Sequence, residues 1–453
     1  MDKRRGNKVV DVDVRDDTAW FRRLIVLGCL TTLIVFSVLI WLAIRSNTAQ
    51  PSQVDAFGRS RVSEPLTLSD SKNVHLADAE YSDLVLNGGA ITHLADEASF
   101  LLSITGQTGS RTTRQTRMYH NYLPGKSQLI LASFRFGAMN SGIIRRVGYF
   151  DDDNGVFLEQ NGTDNKYYVV RREKTSGTVV ETKISRDMWD KPLPEFDFTK
   201  VQLLKIDFQW LGVGKIRFFL TNAKEELIQT FFLANENTTV SFSEPNLPVR
   251  YEILNDSFVG GVGDSFDMQM ICTTTMSEGG YIETGLDRHI STGPIHRTIV
   301  NGGDELPVLA IKLKNSFEGK ANRYYIRPGP YSIYVETHPV LFKIYRLESP
   351  SQLNGSWVSA HPSSPVEYNV SATTYSLVGG YQELAGGYAA ASSTQKASTA
   401  LNAGNPTGAR KEIITQNFDS SDSQVWVIVC QALTSGTNVN SKIWAGIQWR
   451  EVY

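Results

Sequence analysis

The chain has 453 residues, with 45 basic and 47 acidic side chains and a formal net charge of −2. That length leaves room for two or three domains, and a content of 41% hydrophobic and 10% aromatic residues excludes an intrinsically disordered chain. The near-neutral balance also excludes the dense basic surface that nucleic-acid binding requires, so no nucleic-acid partner is expected.

Residues 1–23 form a short tail that is rich in basic side chains: Lys3, Arg4, Arg5, Lys8, Arg15, Arg22 and Arg23. Leu24 to Ile44, LIVLGCLTTLIVFSVLIWLAI, is an uncharged run. It has the length of about 20 residues that a helix needs to cross a bilayer's hydrocarbon core. The run predicts a single transmembrane helix over 24–44 acting as a signal anchor, so the membrane is an expected partner. A secretory signal peptide is the competing reading, with Ala49 as a small residue behind the run. The length of the run and the polar tail before it favour the anchor. The basic flank places the amino-terminal tail in the cytosol, or in whatever compartment inherits that side, and the remaining body on the opposite side. Residues 45–56, polar and containing Pro51, read as a linker.

From 57 to about 285 the sequence reads as short strands, among them QLILASFRFG from Gln128, KYYVVRRE from Lys166, VQLLKIDFQWLG from Val201 and KIRFFL from Lys215. They are rich in Val, Ile, Phe and Tyr and punctuated by Gly, Asn, Asp and Pro, as an antiparallel sandwich requires. Ile206, Phe208 and Trp210 alternate with Lys205, Asp207 and Gln209, the period-two pattern of a strand with one buried face. Asp151-Asp152-Asp153-Asn154-Gly155 reads as a tight turn between strands, since calcium-loop spacing fails at Gly155. Residues 286–305 change texture and suggest a connection. Residues 306–453 form a second, smaller β-rich domain, with strands such as VLAIKLK from Val308, VLFKIYRL from Val340 and KIWAGIQW from Lys442. Ala385 to Gly408, dominated by Ala, Gly, Ser and Thr, reads as an exposed loop.

Chemistry-bearing motifs are scarce. Gly125-Lys126-Ser127 is not a phosphate loop, because His120 stands where such a loop needs glycine. The seven histidines are scattered without metal spacing, so no catalytic, cofactor or metal residues are assigned. The nearest approach to a sandwich-glycosidase strand motif, Glu195-Phe196-Asp197-Phe198-Thr199-Lys200, ends in lysine. Arg111, Arg114 and Arg117 present either an anion site or a solvated strand edge. Asn161, Asn237, Asn255, Asn354 and Asn369 stand in N-glycosylation sequons. Cys272 and Cys430 either form a disulfide or remain two separate thiols. Tyr149, Trp189 and Tyr281 are candidates for stacking on sugar rings.

An ordered set of phrases runs along the body: AFGRSRVSEPLTLSDSK from Ala56, YHNYLPGKSQLI from Tyr119, RVGYFDDDNGVF from Arg146, IDFQWLGVGKIRF from Ile206, EPNLPVRYEI from Glu244, WVSAHPSSPVEYNV from Trp357, LVGGYQELAGGY from Leu377 and WAGIQWRE from Trp444. As a set they resemble virion structural proteins of marine tailed phages and of large algal or eukaryotic double-stranded DNA viruses. The first β block is also similar to the jelly-roll sandwich of the concanavalin and laminin-G class. The resemblance implies a mainly β chain and a non-enzymatic, capsid-associated particle component that contacts other capsid proteins or itself. With the expected anchor, it implies a membrane-anchored member located in the virion or host membrane. A glycan-binding attachment protein, with host glycans as partners, is the alternative, and a surface glycoside hydrolase or lyase is the third reading.

Overall fold

The computed structural model describes residues 35–37, 65–75, 80–194, 196–209, 211–212, 214–221, 225–231, 240–280, 283–391, 399–401 and 413–452. Ser63–Tyr453 make one compact unit, and it is built almost entirely of antiparallel strands.

Its first part is a β-sandwich. One sheet has eight strands, running Glu225–Phe231, Ile216–Thr221, Gln202–Phe208, Ser127–Arg135, Ser265–Glu278, Ser99–Thr105 and Ala90–Leu94, with Pro65–Ser71 pairing beside Ser265–Glu278. The facing sheet has seven, in the order Val180–Ser185, Lys166–Glu173, Gly155–Asn161, Ile143–Phe150, Val249–Asn255, Arg111–Thr116 and Tyr81–Leu86. Alternation decides the faces. Leu204, Ile206 and Phe208 of one sheet meet Val147, Tyr149, Leu158 and Tyr251 of the other in a single buried core. Each such side chain contributes about 1.5–3 kcal/mol through its removal from water.

The second part repeats the plan. A five-stranded sheet runs Leu286–Ser291, Ser441–Val452, Tyr325–Glu336 and Thr399–Leu401, with Arg297–Ile299 also on Ser441–Val452. A six-stranded sheet runs Val358–Ser359, Val366–Asn369, Glu305–Leu313, Val425–Ala432, Val340–Leu347 and Tyr381–Ala389. Ile311, Phe342, Trp426 and Ile428 pack against Ile333, Val335, Ile447 and Trp449 between them.

Three expectations change. The anchor expected over Leu24–Ile44 falls, apart from the helical residues Val35–Ser37, outside the described residues, and among the described residues no helix is long and apolar enough to cross a membrane. The transmembrane element of the fold class, the membrane partner and the single-pass localisation are corrected on that ground, and a mainly β jelly-roll sandwich stands. The loop expected from Ala385 begins as strand: Tyr381–Ala389 pairs with Val340–Leu347. Ladder bonds need only backbone, and the missing side chain at Gly387 leaves room for the Phe342 ring, which lies 3.0 Å from where a Cβ would sit. The segment 286–305 likewise supplies two strands to the five-stranded sheet.

The two sandwiches are joined by specific contacts. The Phe418 ring lies under the guanidiniums of Arg250, at 4.5 Å, and Arg111, at 5.4 Å, and its backbone N–H donates to Ser82 Oγ at 3.0 Å. Arg117 pairs with Glu348 at 3.1 Å and Arg346 with Glu80 at 3.5 Å. Phe418 is buried, so Phe418→Ala should cost about 3–5 kcal/mol. The expected outcome in calorimetry is a lower melting temperature and a single transition resolved into two as the sandwiches uncouple. Retention of one sharp transition would show that this ring does not join them.

Candidate functional site

The outer face of the seven-stranded sheet is the first place to look, because two carboxylates stand there at a suggestive spacing. Glu159 and Glu252 occupy the strands on either side of Ile143–Phe150, each directly opposite Arg146. Two inter-strand steps separate them by about 10 Å between backbones, which is within reach of a glycosidase pair. Such a pair needs one carboxyl that carries a proton. Arg146 instead bridges the two, Nε donating to Glu159 at 2.7 Å and Nη1 to Glu252 at 2.9 Å. Arg111 Nε adds a bond to Glu252 at 3.0 Å, and Lys183 adds one to Glu159 at 2.8 Å. Burial works to raise the Glu252 carboxyl, but the guanidiniums of Arg111, Arg146 and Arg250 outweigh it and hold it well below the usual carboxylate range. Glu252 therefore supplies no acid at neutral pH, and both carboxylates are spent on cations. The pair locks strands together.

A second arrangement lies in a cleft of about 420 Å³ where the two sandwiches meet. The first sandwich contributes the loop at Asn121–Pro124, ahead of strand Ser127–Arg135, and the turn Glu244–Asn246, ahead of Val249–Asn255. The second contributes a small hairpin, Ser316–Phe317 paired with Lys320–Ala321, and the chain that follows it. Glu318 and Gly319 turn that hairpin with φ of 49° and 77°. Two successive left-handed residues give a turn whose twist matches that of the strands, and a glutamate in this conformation is uncommon.

Three chemical features converge there. The Asn121 side chain is 5% exposed, and its Nδ2 has no hydrogen-bond partner. The Glu244 carboxyl accepts the Asn246 N–H at 3.0 Å. Burial pushes it above the usual carboxylate range, with Asp151 adding to the shift and the Asn246 N–H, Lys320 and Arg323 opposing it. Phe317 and Tyr324 meet edge to face at 5.7 Å. Arg323 lies over the Tyr119 ring at 4.3 Å, with Nη1 donating to Ser420 at 2.8 Å, and it closes one side. A carboxyl biased toward its protonated form, an unsatisfied amide and aromatic rings can together donate to, accept from and stack on a polyhydroxylated ring.

Residues singled out in the sequence fall mostly elsewhere. Tyr149 and Trp189 are buried in the first core, where they serve packing rather than stacking on a ligand, and Tyr281 lies outside the described residues. Arg111 pairs with Glu252 and Asp152, Arg114 with Asp83, and Arg117 with Glu348, so all three are spent on carboxylates. Asp151 Oδ1 accepts the N–H groups of Asp153 and Asn154 inside the expected turn. Asp197 caps Thr199 at the surface, and Glu195 is outside the described residues. Cys272 and Cys430 are separate free thiols. Asn161, Asn255 and Asn369 are buried, with each Nδ2 engaged: to Glu159, to the Gly106 carbonyl and to the Asn354 carbonyl. Asn354 is exposed and donates to Thr373, and Asn237 is outside the described residues. The cleft residues gave no sequence signal. Asn121 and Glu244 lie 123 positions apart, in loops that only the folded chain brings together.

No family model and no curated protein matches the chain. Solved structures do match. A Bacteroides ovatus family 16 glycoside hydrolase from a mixed-linkage glucan locus, in complex with a product, is 9% identical over 46% of this chain and 99% of its own, with a TM-score of 0.34. A beta-1,3-glucanase from Mycobacterium marinum is 12% identical over 46% and 98%, with a TM-score of 0.34. The CBM2 module of the evolved Dit of Lactobacillus casei BL23 phage J-1 is 7% identical over 49% and 99%, with a TM-score of 0.32. At these values the likeness assigns no residue a role. No match supports the expected kinship with virion structural proteins, so that kinship, the capsid-associated role and the capsid partners are withdrawn, and what remains is the β-sandwich fold. The non-enzymatic expectation is withdrawn as well, since the solved structures that match include glycoside hydrolases.

The two buried glutamates predict opposite pH behaviour. Glu252 has a depressed folded value, so its stabilisation is present above the ordinary carboxylate range and is lost as pH falls toward that depressed value. Glu252→Gln should cost about 3–5 kcal/mol at pH 7, with the deficit shrinking in acid. Glu244 has a raised folded value, so its contribution is full below the ordinary range and is lost as pH rises through the raised value. Glu244→Gln should melt with the parent below about pH 4 and above it at pH 7. Melting curves across that range check both signs.

Proposed function

We propose that this protein binds a saccharide in the cleft between its two β-sandwiches. The observation that carries the reading is the Asn121 amide, almost wholly buried at the cleft wall with no partner for its Nδ2. Native proteins rarely leave such a donor unpaired, since each one costs about 1–3 kcal/mol, and a ligand acceptor completes it. Glu244 adds a carboxyl that both donates and accepts when protonated, matching the dual character of a sugar hydroxyl. Phe317 and Tyr324 add ring surface for the apolar face of a pyranose.

Titration calorimetry of the full-length protein with cellohexaose, laminarihexaose and mucin-type oligosaccharides tests the reading, with reducing-end release measured on the same mixtures to separate binding from turnover. At least one of these sugars should bind. Asn121→Ala should weaken it roughly tenfold or more, since that is the worth of about 1.4 kcal/mol, and should leave the melting temperature unchanged or higher. Binding that is indifferent to both Asn121→Ala and Tyr324→Ala would place any sugar site elsewhere.

A further inference from the structure

The outer face of the five-stranded sheet carries a feature independent of the cleft. Along Ser441–Val452, Ile443, Ala445, Ile447 and Trp449 turn inward and are buried, so Lys442, Trp444, Gly446, Gln448 and Arg450 turn outward. Trp444 sits directly opposite Tyr334 on the neighbouring strand. Their ring centroids are 5.3 Å apart, and His296 flanks the indole on its other side at 5.4 Å. Tyr334 and His296 are exposed and Trp444 is half-buried. The indole N–H is spent on the Pro294 carbonyl at 3.4 Å, which fixes the ring. Ser332 and Ser291 stand on either side of Gly446, and Gln448 with His289 continues the same row.

We propose that this face is a second saccharide site, around Trp444 and Tyr334, that takes an extended neutral polysaccharide chain. Neutrality follows from the charges present. Lys442 pairs with Glu336 at 3.6 Å and Arg450 with Asp287 at 2.8 Å, so the row offers no uncompensated charge to an anionic ligand. An extended chain follows from the geometry. Outward positions repeat about every 7 Å along a strand, so the row from Trp444 to Gln448 runs about 14 Å without a wall to close it. A protein partner is disfavoured by composition. A stable interface has an apolar centre, whereas here the large aliphatic side chains of the strand point into the core, Ile295 is the one exposed aliphatic beside the rings among the described residues, and the rings are otherwise bordered by hydroxyls and amides. Aromatic rings beside hydrogen-bonding groups suit a sugar, which has an apolar face and a polar rim.

Affinity electrophoresis of the full-length protein through gels containing mixed-linkage β-glucan, laminarin or the anionic polymer alginate is the test. One of the neutral polymers should retard the protein. Trp444→Ala and Tyr334→Ala should each weaken retardation roughly tenfold, both in the parent and in an Asn121→Ala background that removes the cleft's contribution, and Tyr334→Phe should keep most of it. Circular dichroism confirms that each variant is folded, and if Trp444→Ala is not, the Tyr334→Ala and Tyr334→Phe pair decides. Retardation by alginate alone, by none of the polymers, or equally in the parent and Tyr334→Ala overturns the proposal. So does a parent dimer that Tyr334→Ala converts to monomer in sedimentation, since that would make the face a contact between copies.

Discussion

Glu252 is a carboxylate almost without water, and the guanidiniums that keep it ionised set the geometry of what is built on that face of the first sandwich. Arg146, on the strand between them, ties it to Glu159 two strands away, and Arg111 binds it from the other side. Arg250, on the same strand, reaches Asp152 in the neighbouring turn. Removing any one partner would leave an uncompensated charge in a place with no solvent to receive it. The two arginines at the end of this ladder, Arg111 and Arg250, then present their flat faces to Phe418. The second sandwich is thus seated on a charge network, beside an apolar contact of Met118 with Tyr325, Ile413 and Val452. Arg323, close to Asp151 at one end and bonded to Ser420 at the other, continues the same chain of contacts to the rim of the cleft.

That arrangement explains which parts of the fold the sequence displayed. In Lys205-Ile206-Asp207-Phe208 the alternation marks the inward side, and Ile206 and Phe208 do lie in the core. The same alternation implies that the other side faces water, yet Asp207 is fully buried against Arg217. Period two reports which residues share a face, and it says nothing about whether that face is covered. Arg146, Glu159 and Glu252 look like solvated positions for the same reason. Their partners lie across strands, up to 141 residues apart, and no local pattern encodes that distance.

Aromatic residues misled in the opposite direction. Tyr149 and Trp189 looked available because a polar atom accompanies each ring, but the fold supplies partners inside. Tyr149 donates to Gln128 at 2.8 Å and Trp189 to the Ile184 carbonyl at 3.0 Å. A buried ring with a satisfied polar atom has no reason to face solvent. Trp444 differs. Its N–H is also satisfied, but its strand position places it on the outward row, so the ring is held firmly at the surface instead of within the core. Strand parity, not residue type, separates Trp444 from Tyr149, and parity becomes legible only once the inward residues of that strand are known.

The cleft and the outward row also differ in what each demands of a ligand. Asn121 and Glu244 are deficits in the free protein, one an unpaired donor and the other a carboxyl whose ionised form burial disfavours. Such a site gains most from a ligand whose hydrogen bonds match in direction, because a mismatched ligand leaves the deficit standing while adding its own desolvation. The row around Trp444 has no deficit to repair: its N–H is bonded and its charges are paired. Recognition there rests on ring contact, which tolerates variation in the sugar bound. Selective binding at the junction of the two sandwiches and tolerant binding on the second sandwich make different use of one chain. Occupied together by a long polysaccharide they would reinforce each other, provided that the polymer is long and flexible enough to span both.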